Sequence, residues 1–229
     1  MHPAGPIAAA AAFWLWCSVA AAGPYVKITQ PAGKDGAGTG CSSGTLIGWT
    51  VDLKDGIFIS CGHGYDPLRA VEVEIDQHRT VAGRIIAINR DFDLSLVAAP
   101  IDRSNGIVRL ADRAPRECGA VGLIGFPDKK FQHCETCISG RFWSKGACTT
   151  KWALFEASAR CPRPAEYQEL LVTAAASAPG LSGGAMLHDR KLAGVVIGRI
   201  TNARDAGLVV PAETVRHFVR RNISLFYRR

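Results

Sequence analysis

Three residue types that together could perform nucleophilic catalysis occur in this chain in the order histidine, aspartate, serine. Ser182 lies at the centre of Gly-Leu-Ser-Gly-Gly, residues 180–184. Flanking glycines permit a tight turn that exposes the serine hydroxyl and lets neighbouring N–H groups converge. A serine hydroxyl attacks a carbonyl carbon when a base accepts its proton and N–H groups stabilise the oxyanion. The pentapeptide therefore predicts a nucleophile, provided that a base and an acid accompany it.

The candidate base and acid both follow apolar segments. His63 ends the segment Ile-Phe-Ile-Ser-Cys-Gly-His-Gly, residues 57–64, which is typical of a buried strand with an imidazole at its carboxyl end. Asp93 separates two apolar runs, 85–88 and 94–97. Asp91, two residues earlier, is the rival acid. The chemistry requires a histidine to move the proton and a carboxylate to orient and stabilise the imidazolium.

The elements that must position these residues are predicted to be short β-strands. Residues 71–76 alternate apolar and acidic side chains, which is typical of a half-exposed strand. Asp55-Gly56 predicts a hairpin turn between strands at 45–53 and 57–60. Further strands are predicted at 84–88, 107–110, 120–125 and 137–143. Only 211–221 has helical spacing, with Pro211 at its start and arginines at its end.

Several segments carry a resemblance to a known family. They are Gly-Cys-Ser-Ser-Gly-Thr-Leu-Ile-Gly (40–48), Asp-Leu-Ser-Leu (93–96), and the apolar strands at 172–176, 192–198 and 207–211. With the ordered histidine, aspartate and serine, they make residues 25–222 resemble chymotrypsin-fold serine endopeptidases, above all the bacterial trypsin-like and HtrA/Deg-type domains. The resemblance implies an all-β fold of two chymotrypsin-like six-stranded β-barrels with a C-terminal α-helix. We expect barrels at 23–110 and 111–210, a helix and basic tail at 211–229, and no PDZ domain.

The resemblance also implies a role for each site residue. Ser182 is expected to be the nucleophile, His63 the general base and then acid, and Asp93 the group that orients the imidazole. The backbone N–H groups of Gly180 and Ser182 are expected to form the oxyanion hole. No cofactor is expected, and the substrate is a polypeptide.

Two departures from the family concern activation and specificity. Leu181 stands where zymogen-type relatives have an aspartate that pairs with a new N-terminus, so activation by N-terminal insertion is not expected. Ala176 stands where enzymes that cleave after Lys or Arg have an aspartate. An uncharged pocket would leave a basic side chain unpaired, so small or medium apolar residues are the predicted preference. By resemblance, Val196 to Gly198 would pair with the substrate backbone.

The N-terminus predicts export. Residues 1–22 have no Lys, Arg, Asp or Glu, and an apolar run at 7–19 precedes Ala-Ala-Ala, which is typical of a cleaved signal peptide. An uncleaved membrane anchor is the alternative, although the run is shorter than the ~20 apolar residues of a spanning helix. The mature protein is then expected to be secreted or periplasmic.

Cysteine chemistry follows from the same expectation, because exported cysteines tend to form disulfides. By analogy with the family, Cys41 and Cys61 are the best candidate pair. A second group has spacing that fits either disulfides or a structural zinc site: Cys134, Cys137, Cys148 and Cys161, with His133 beside them.

Charge and residue order limit the remaining functions. The net charge of +7 is concentrated in part at the C-terminus, which is either a solvated face or a weak contact with an anionic membrane surface. No motif indicates nucleic-acid binding. An α/β-hydrolase esterase would need its acid and histidine after Ser182, where Asp205 and His217 are the candidates. A protease-fold binding protein without activity is the other alternative.

Overall fold

A computed structural model describes residues 23–31, 40–127, 130–144, 168–175, 178–199 and 206–226. The predicted signal peptide, Ala176, Cys148, Cys161 and Asp205 lie outside the described residues. Predictions that concern those residues therefore stay predictions.

The first half of the chain forms a closed antiparallel barrel with the strand order β1-β2-β3-β6-β5-β4. Its strands are β1 (Tyr25–Gln30), β2 (Gly40–Trp49), β3 (Asp55–Cys61), β4 (Val71–Asp76), β5 (Arg79–Asn89) and β6 (Leu94–Pro100). The alternation predicted for β4 is observed, since Val71, Val73 and Ile75 are buried. Ile57, Phe58 and Ile59 of β3 are all buried as well, because β3 lies between β2 and β6.

The second half forms another closed antiparallel barrel, with the order β10-β11-β12-β9-β8-β7. Its strands are β7 (Ala120–Gly125), β8 (Gln132–Ser144), β9 (Gln168–Thr173), β10 (Ala185–His188), β11 (Lys191–Arg199) and β12 (Gly207–Pro211). Helix α1 (Ala212–Arg221) follows and buries Val215, Phe218 and Val219. This confirms the predicted fold class of two six-stranded β-barrels and a C-terminal helix.

The antiparallel pairing excludes the α/β-hydrolase fold, because every pair of named strands in the described residues is antiparallel. Among the described residues, no helix combines the length and the apolar character that crossing a bilayer requires.

Two local predictions were wrong. The hairpin between β2 and β3 turns at residues 51–54, while Asp55-Gly56 already belongs to β3. Thr50 stabilises the earlier turn, because its N–H donates to the Asp55 carbonyl at 2.9 Å and its carbonyl accepts from Leu53. Residues 107–110 form no strand; Leu110 makes only an isolated bridge to Leu192.

The two barrels meet along β2 and β3 on one side and β10 and β11 on the other. This junction is where the candidate catalytic residues converge, because β3 leads into His63 and the turn before β10 contains Ser182. The fold therefore brings segments more than 100 residues apart in the chain into contact at this junction.

Candidate active site

His63 and Asp93 are in direct contact. The distance between His63 Nδ1 and Asp93 Oδ2 is 2.7 Å. Asp93 Oδ1 accepts two further hydrogen bonds, from the backbone N–H of Gly62 at 3.0 Å and of His63 at 2.6 Å. Charge-assisted bonds of this kind are stronger than neutral ones, so the carboxylate holds both the ring and the backbone of the histidine. With Nδ1–H donating to Asp93, Nε2 of His63 is the nitrogen that can accept a proton.

The position of Asp93 depends on a close approach between two chain segments. Asp93 has a φ of 53°, and its N–H and C=O are bonded to Arg90 and Gly62. A Cβ at Gly62 would lie 2.9 Å from the N atom of Leu94, so only glycine allows this approach. Asp91, the rival acid in the sequence, is exposed in the turn before Asp93. The geometry therefore selects Asp93 as the partner of His63.

The environment of His63 favours its protonated form. Burial alone lowers the pKa of the imidazole, but the neighbouring Cys61 sulfur and the Asp93 carboxylate raise it, and the net pKa lies well above the ordinary 6.5. The side chain of His63 is 28% exposed, so solvent and a substrate can reach the ring. An imidazole beside a buried carboxylate can both accept and return a proton.

Cys61 is a free, buried thiol, which contradicts its predicted disulfide with Cys41. The strand register gives the reason. Cys61 pairs with Leu94 on β6, whereas Cys41 pairs with Thr29 on β1. The pairing between β2 and β3 ends at Thr45 and Ile59, before it reaches either cysteine. The thiol of Cys61 instead lies beside His63, at 3.8 Å from the His63 carbonyl oxygen.

Ser182 lies in a tight turn that is bonded on both sides. The Ser182 carbonyl accepts from the Ser43 N–H at 2.7 Å, which links it to the first barrel. The Gly183 N–H donates to the Val196 carbonyl at 2.7 Å, which links the turn to β11. The Ser182 hydroxyl lies 3.5 Å from the carbonyl oxygen of Ile197. The nucleophile candidate is therefore half-buried, with its backbone fixed between the barrels.

Gly183 brings this turn against the end of β3. A Cβ at Gly183 would lie 2.1 Å from the Ser43 oxygen, 2.3 Å from Ser60 Oγ and 3.0 Å from the Cys61 N atom. The φ of Gly183 is also +82°, a conformation that glycine adopts at little cost. The residue after Ser182 thus packs on the residues that immediately precede His63. The structure thus packs the turn that carries Ser182 against the strand that leads into His63, whose ring contacts Asp93.

The backbone donors predicted for the oxyanion hole are next to the nucleophile. The N–H groups of Leu181, Gly183 and Gly184 donate to backbone carbonyls within the protein. The N–H groups of Gly180 and Ser182 donate to no backbone carbonyl among the described residues. Gly180 has a φ of +92°, which turns its peptide relative to that of Ser182. Two such donors near a serine hydroxyl could stabilise an oxyanion.

The contacts of the predicted substrate-binding residues differ. The N–H and C=O of Val196 are both bonded to the Gly183–Gly184 turn, so its pairing with a substrate is not supported by these contacts. Gly198 pairs with Leu208 on β12, and its role toward a substrate stays a prediction. Ala176 is outside the described residues.

The predicted metal alternative receives no support from the described part of the chain. No cluster of three His, Cys, Asp or Glu side chains that could hold a metal ion occurs among the described residues. Cys134 and Cys137 are both free thiols in β8. Three positions apart on a strand, they point to opposite faces. Their two thiols therefore cannot share a tetrahedral ion without a change of backbone.

Two supports of the site were missed at the level of sequence. The guanidinium of Arg90 donates to the carbonyls of Gly62 and Tyr65, which flank His63. The Ser43 hydroxyl donates to the Gly180 carbonyl at 2.7 Å. Neither residue has a distinctive local pattern, because both act on partners that are distant in sequence.

The fold is that of the chymotrypsin-like double barrels, and comparison with solved structures agrees. The active form of the protease Rv3671c from M. tuberculosis is similar, with a TM-score of 0.70 and 16% identity over 91% of this chain and 83% of that one. The inactive form of the same protease has a TM-score of 0.65 and 16% identity, covering 88% of this chain and 89% of that one. No family model and no curated protein matches the chain.

Proposed function

We propose that this protein is a serine endopeptidase that uses His63, Asp93 and Ser182. The observation that carries the proposal is the Asp93 carboxylate, which accepts from His63 Nδ1 and from the His63 and Gly62 N–H groups at 2.6–3.0 Å. A structural ion pair does not require three bonds to one histidine and its neighbour. Such an arrangement fixes the tautomer in which Nε2 carries the lone pair that can act as a base.

In the proposed mechanism, His63 Nε2 accepts the proton of the Ser182 hydroxyl while Ser182 Oγ attacks the peptide carbonyl carbon. The N–H groups of Gly180 and Ser182 stabilise the oxyanion that forms. The imidazolium then gives its proton to the leaving amine, and the acyl-enzyme is hydrolysed by a water that His63 activates. The Asp93 carboxylate stays ionised and stabilises the imidazolium throughout.

We also propose that activity requires no insertion of a new N-terminus, as in HtrA/Deg-type domains. Leu181 is 5% exposed and packs in the core of the second barrel with Met186 and Val196. Leu181 Cδ1 also lies close to Gly125, since a Cβ there would be 2.7 Å away. The residue before Ser182 is therefore held by apolar contacts. Burial of a leucine side chain contributes about 1.5–3 kcal/mol. The turn is thereby ordered without an ion pair.

The substrate preference and location remain part of the proposal. Small or medium apolar residues are the proposed preference, since Ala176 offers no charge to a basic side chain. Cleavage restricted to Lys or Arg in a peptide panel would contradict this. Export through a cleaved signal peptide at residues 1–22 is also proposed, and N-terminal sequencing of the mature protein tests it.

A binding protein that has kept the protease fold without activity is the competing function. It would need no buried carboxylate bonded to the His63 ring. Digestion of a peptide library, analysed by mass spectrometry, separates the two functions. We expect internal peptide bonds to be cleaved by the wild type and to stay intact with Ser182→Ala. An intact library after incubation with folded wild-type protein would favour the binding protein.

A further inference from the structure

Ser43 occupies the junction of three segments. It lies in β2 of the first barrel and is 1% exposed. Its hydroxyl accepts from the N–H of Phe126, just after β7, at 2.9 Å, and donates to the Gly180 carbonyl at 2.7 Å. Its own N–H donates to the Ser182 carbonyl at 2.7 Å. One residue of the first barrel is thus bonded to both sides of the Ser182 turn and to the second barrel.

These bonds fix peptide planes that glycine alone would leave mobile. The Gly180 carbonyl belongs to the peptide that joins Gly180 to Leu181, between the two proposed oxyanion donors. Gly180 has a φ of +92°, and a glycine here can rotate its peptide at low cost. The Ser43 hydroxyl has both a donor and an acceptor, so its own orientation is determined.

The surrounding chain leaves space for this hydroxyl. Gly125 is the residue that makes the space, because a Cβ there would lie 2.6 Å from Ser43 Oγ. A side chain at position 125 would therefore displace the hydroxyl from both of its partners. The contact provides a second way to perturb the same bonds without removing the serine.

We propose that Ser43 is a positioning residue that holds the oxyanion hole in its working geometry. It does so by bonding the carbonyls of Gly180 and Ser182, so that the N–H groups of these residues converge on one point. The inference rests on the proposed function of a serine endopeptidase. This role would also make the oxyanion hole depend on the docking of the first barrel. Ser43 lies in that barrel, whereas its partners Phe126, Gly180 and Ser182 belong to the second half of the chain.

The test compares Ser43→Ala with Ser42→Ala by the rate of active-site labelling with a fluorophosphonate, measured across pH. Ser42 is a matched control, because it is also buried and its hydroxyl bonds to Ser60 and Tyr65 rather than to the Ser182 turn. Ser43→Ala should label about 10-fold to 100-fold more slowly, since misplacing a reacting group by ~1 Å costs about 100-fold. Ser42→Ala should stay within about twofold of the wild type. Both should lower the melting temperature similarly, by about 2–4 °C.

The pH dependence separates positioning of the oxyanion donors from an effect on His63. The midpoint of the pH–rate profile should be unchanged in Ser43→Ala, because the hydroxyl contacts neither His63 nor Asp93. A shifted midpoint, or equal rates for the two variants, would overturn the inference. Gly125→Ala is a supporting test, because its Cβ would crowd both Ser43 Oγ and Leu181 Cδ1, and it should slow labelling at an unchanged midpoint. If wild-type protein does not label at all, the proposed function itself fails; if it labels and these variants match it, only the role of Ser43 fails.

Discussion

Replacing Gly183 by alanine should disable the site by forcing the Ser182 turn away from the first barrel. The nearest contact of the new Cβ, with the Ser43 backbone oxygen, would have to lengthen from 2.1 Å to at least 3.0 Å. Backbone oxygen cannot rotate aside, and Ser43 O also accepts the Ser60 hydroxyl at 2.7 Å. The turn must therefore retreat by about 1 Å, which is worth about 100-fold in rate.

The same substitution should lower stability by two separable effects. Overpacking costs about 1–3 kcal/mol, and a left-handed backbone at a residue with a Cβ costs about 1–2 kcal/mol more. Together they predict a loss of about 2–5 kcal/mol in the free energy of unfolding. Gly64→Ala is the control for the backbone effect, because Gly64 has a φ of +77° and nothing within 4 Å of a Cβ.

The assay combines urea denaturation with fluorophosphonate labelling of the folded fraction. Gly64→Ala should lose only the backbone contribution and should label within a few-fold of the wild type. Gly183→Ala should lose more stability and label about 100-fold more slowly. If folded Gly183→Ala labels at the wild-type rate, the packing of the Ser182 turn on β3 does not control the nucleophile.

Three further predictions concern Asp93, His63 and the neighbouring Cys61. Asp93→Asn should reduce the labelling rate on the order of 10⁴-fold, because the amide favours the wrong His63 tautomer. Asp91→Asn should leave the labelling rate within about twofold of the wild type. Equal losses of the two variants in single-turnover assays would contradict the assignment of Asp93. Neutral His63 is the active base and its pKa is raised, so the rate should fall as pH drops through a midpoint above 6.5. An ionised Cys61 sulfur favours the imidazolium through its charge, so Cys61→Ala should lower the pKa of His63 and move the midpoint of the pH–rate profile to lower pH. An unchanged or higher midpoint would show that Cys61 does not tune His63.

The barrel strands were predictable where side chains alternate or where apolar runs are bounded by turns. Residues 71–76 and 120–125 were predicted with the bounds that β4 and β7 have. The run at 107–110 is apolar as well, but it lies between the barrels and finds no strand to pair with beyond one bridge. Local pattern cannot reveal whether a neighbouring strand has an open edge.

The candidate site was predictable only as far as residue type and order carry information. The sequence left Asp91 and Asp93 as alternatives, and only the hydrogen bonds to His63 separate them. The Cys61 pairing failed because a cysteine two positions before the histidine lies on a different register from Cys41. Segment 40–48 was singled out by resemblance, but nothing local indicated the role of Ser43, since its hydroxyl acts on residues 83 and 137 positions away in the chain.

The most direct test of the central claim is to label the purified, folded protein with a fluorophosphonate and map the adduct by mass spectrometry. Wild type, Ser182→Ala and His63→Ala would be treated in parallel. We expect one adduct, on Ser182 Oγ, that is absent from Ser182→Ala and reduced to background in His63→Ala. An unlabelled wild type, or an adduct on another residue that survives both substitutions, would contradict it.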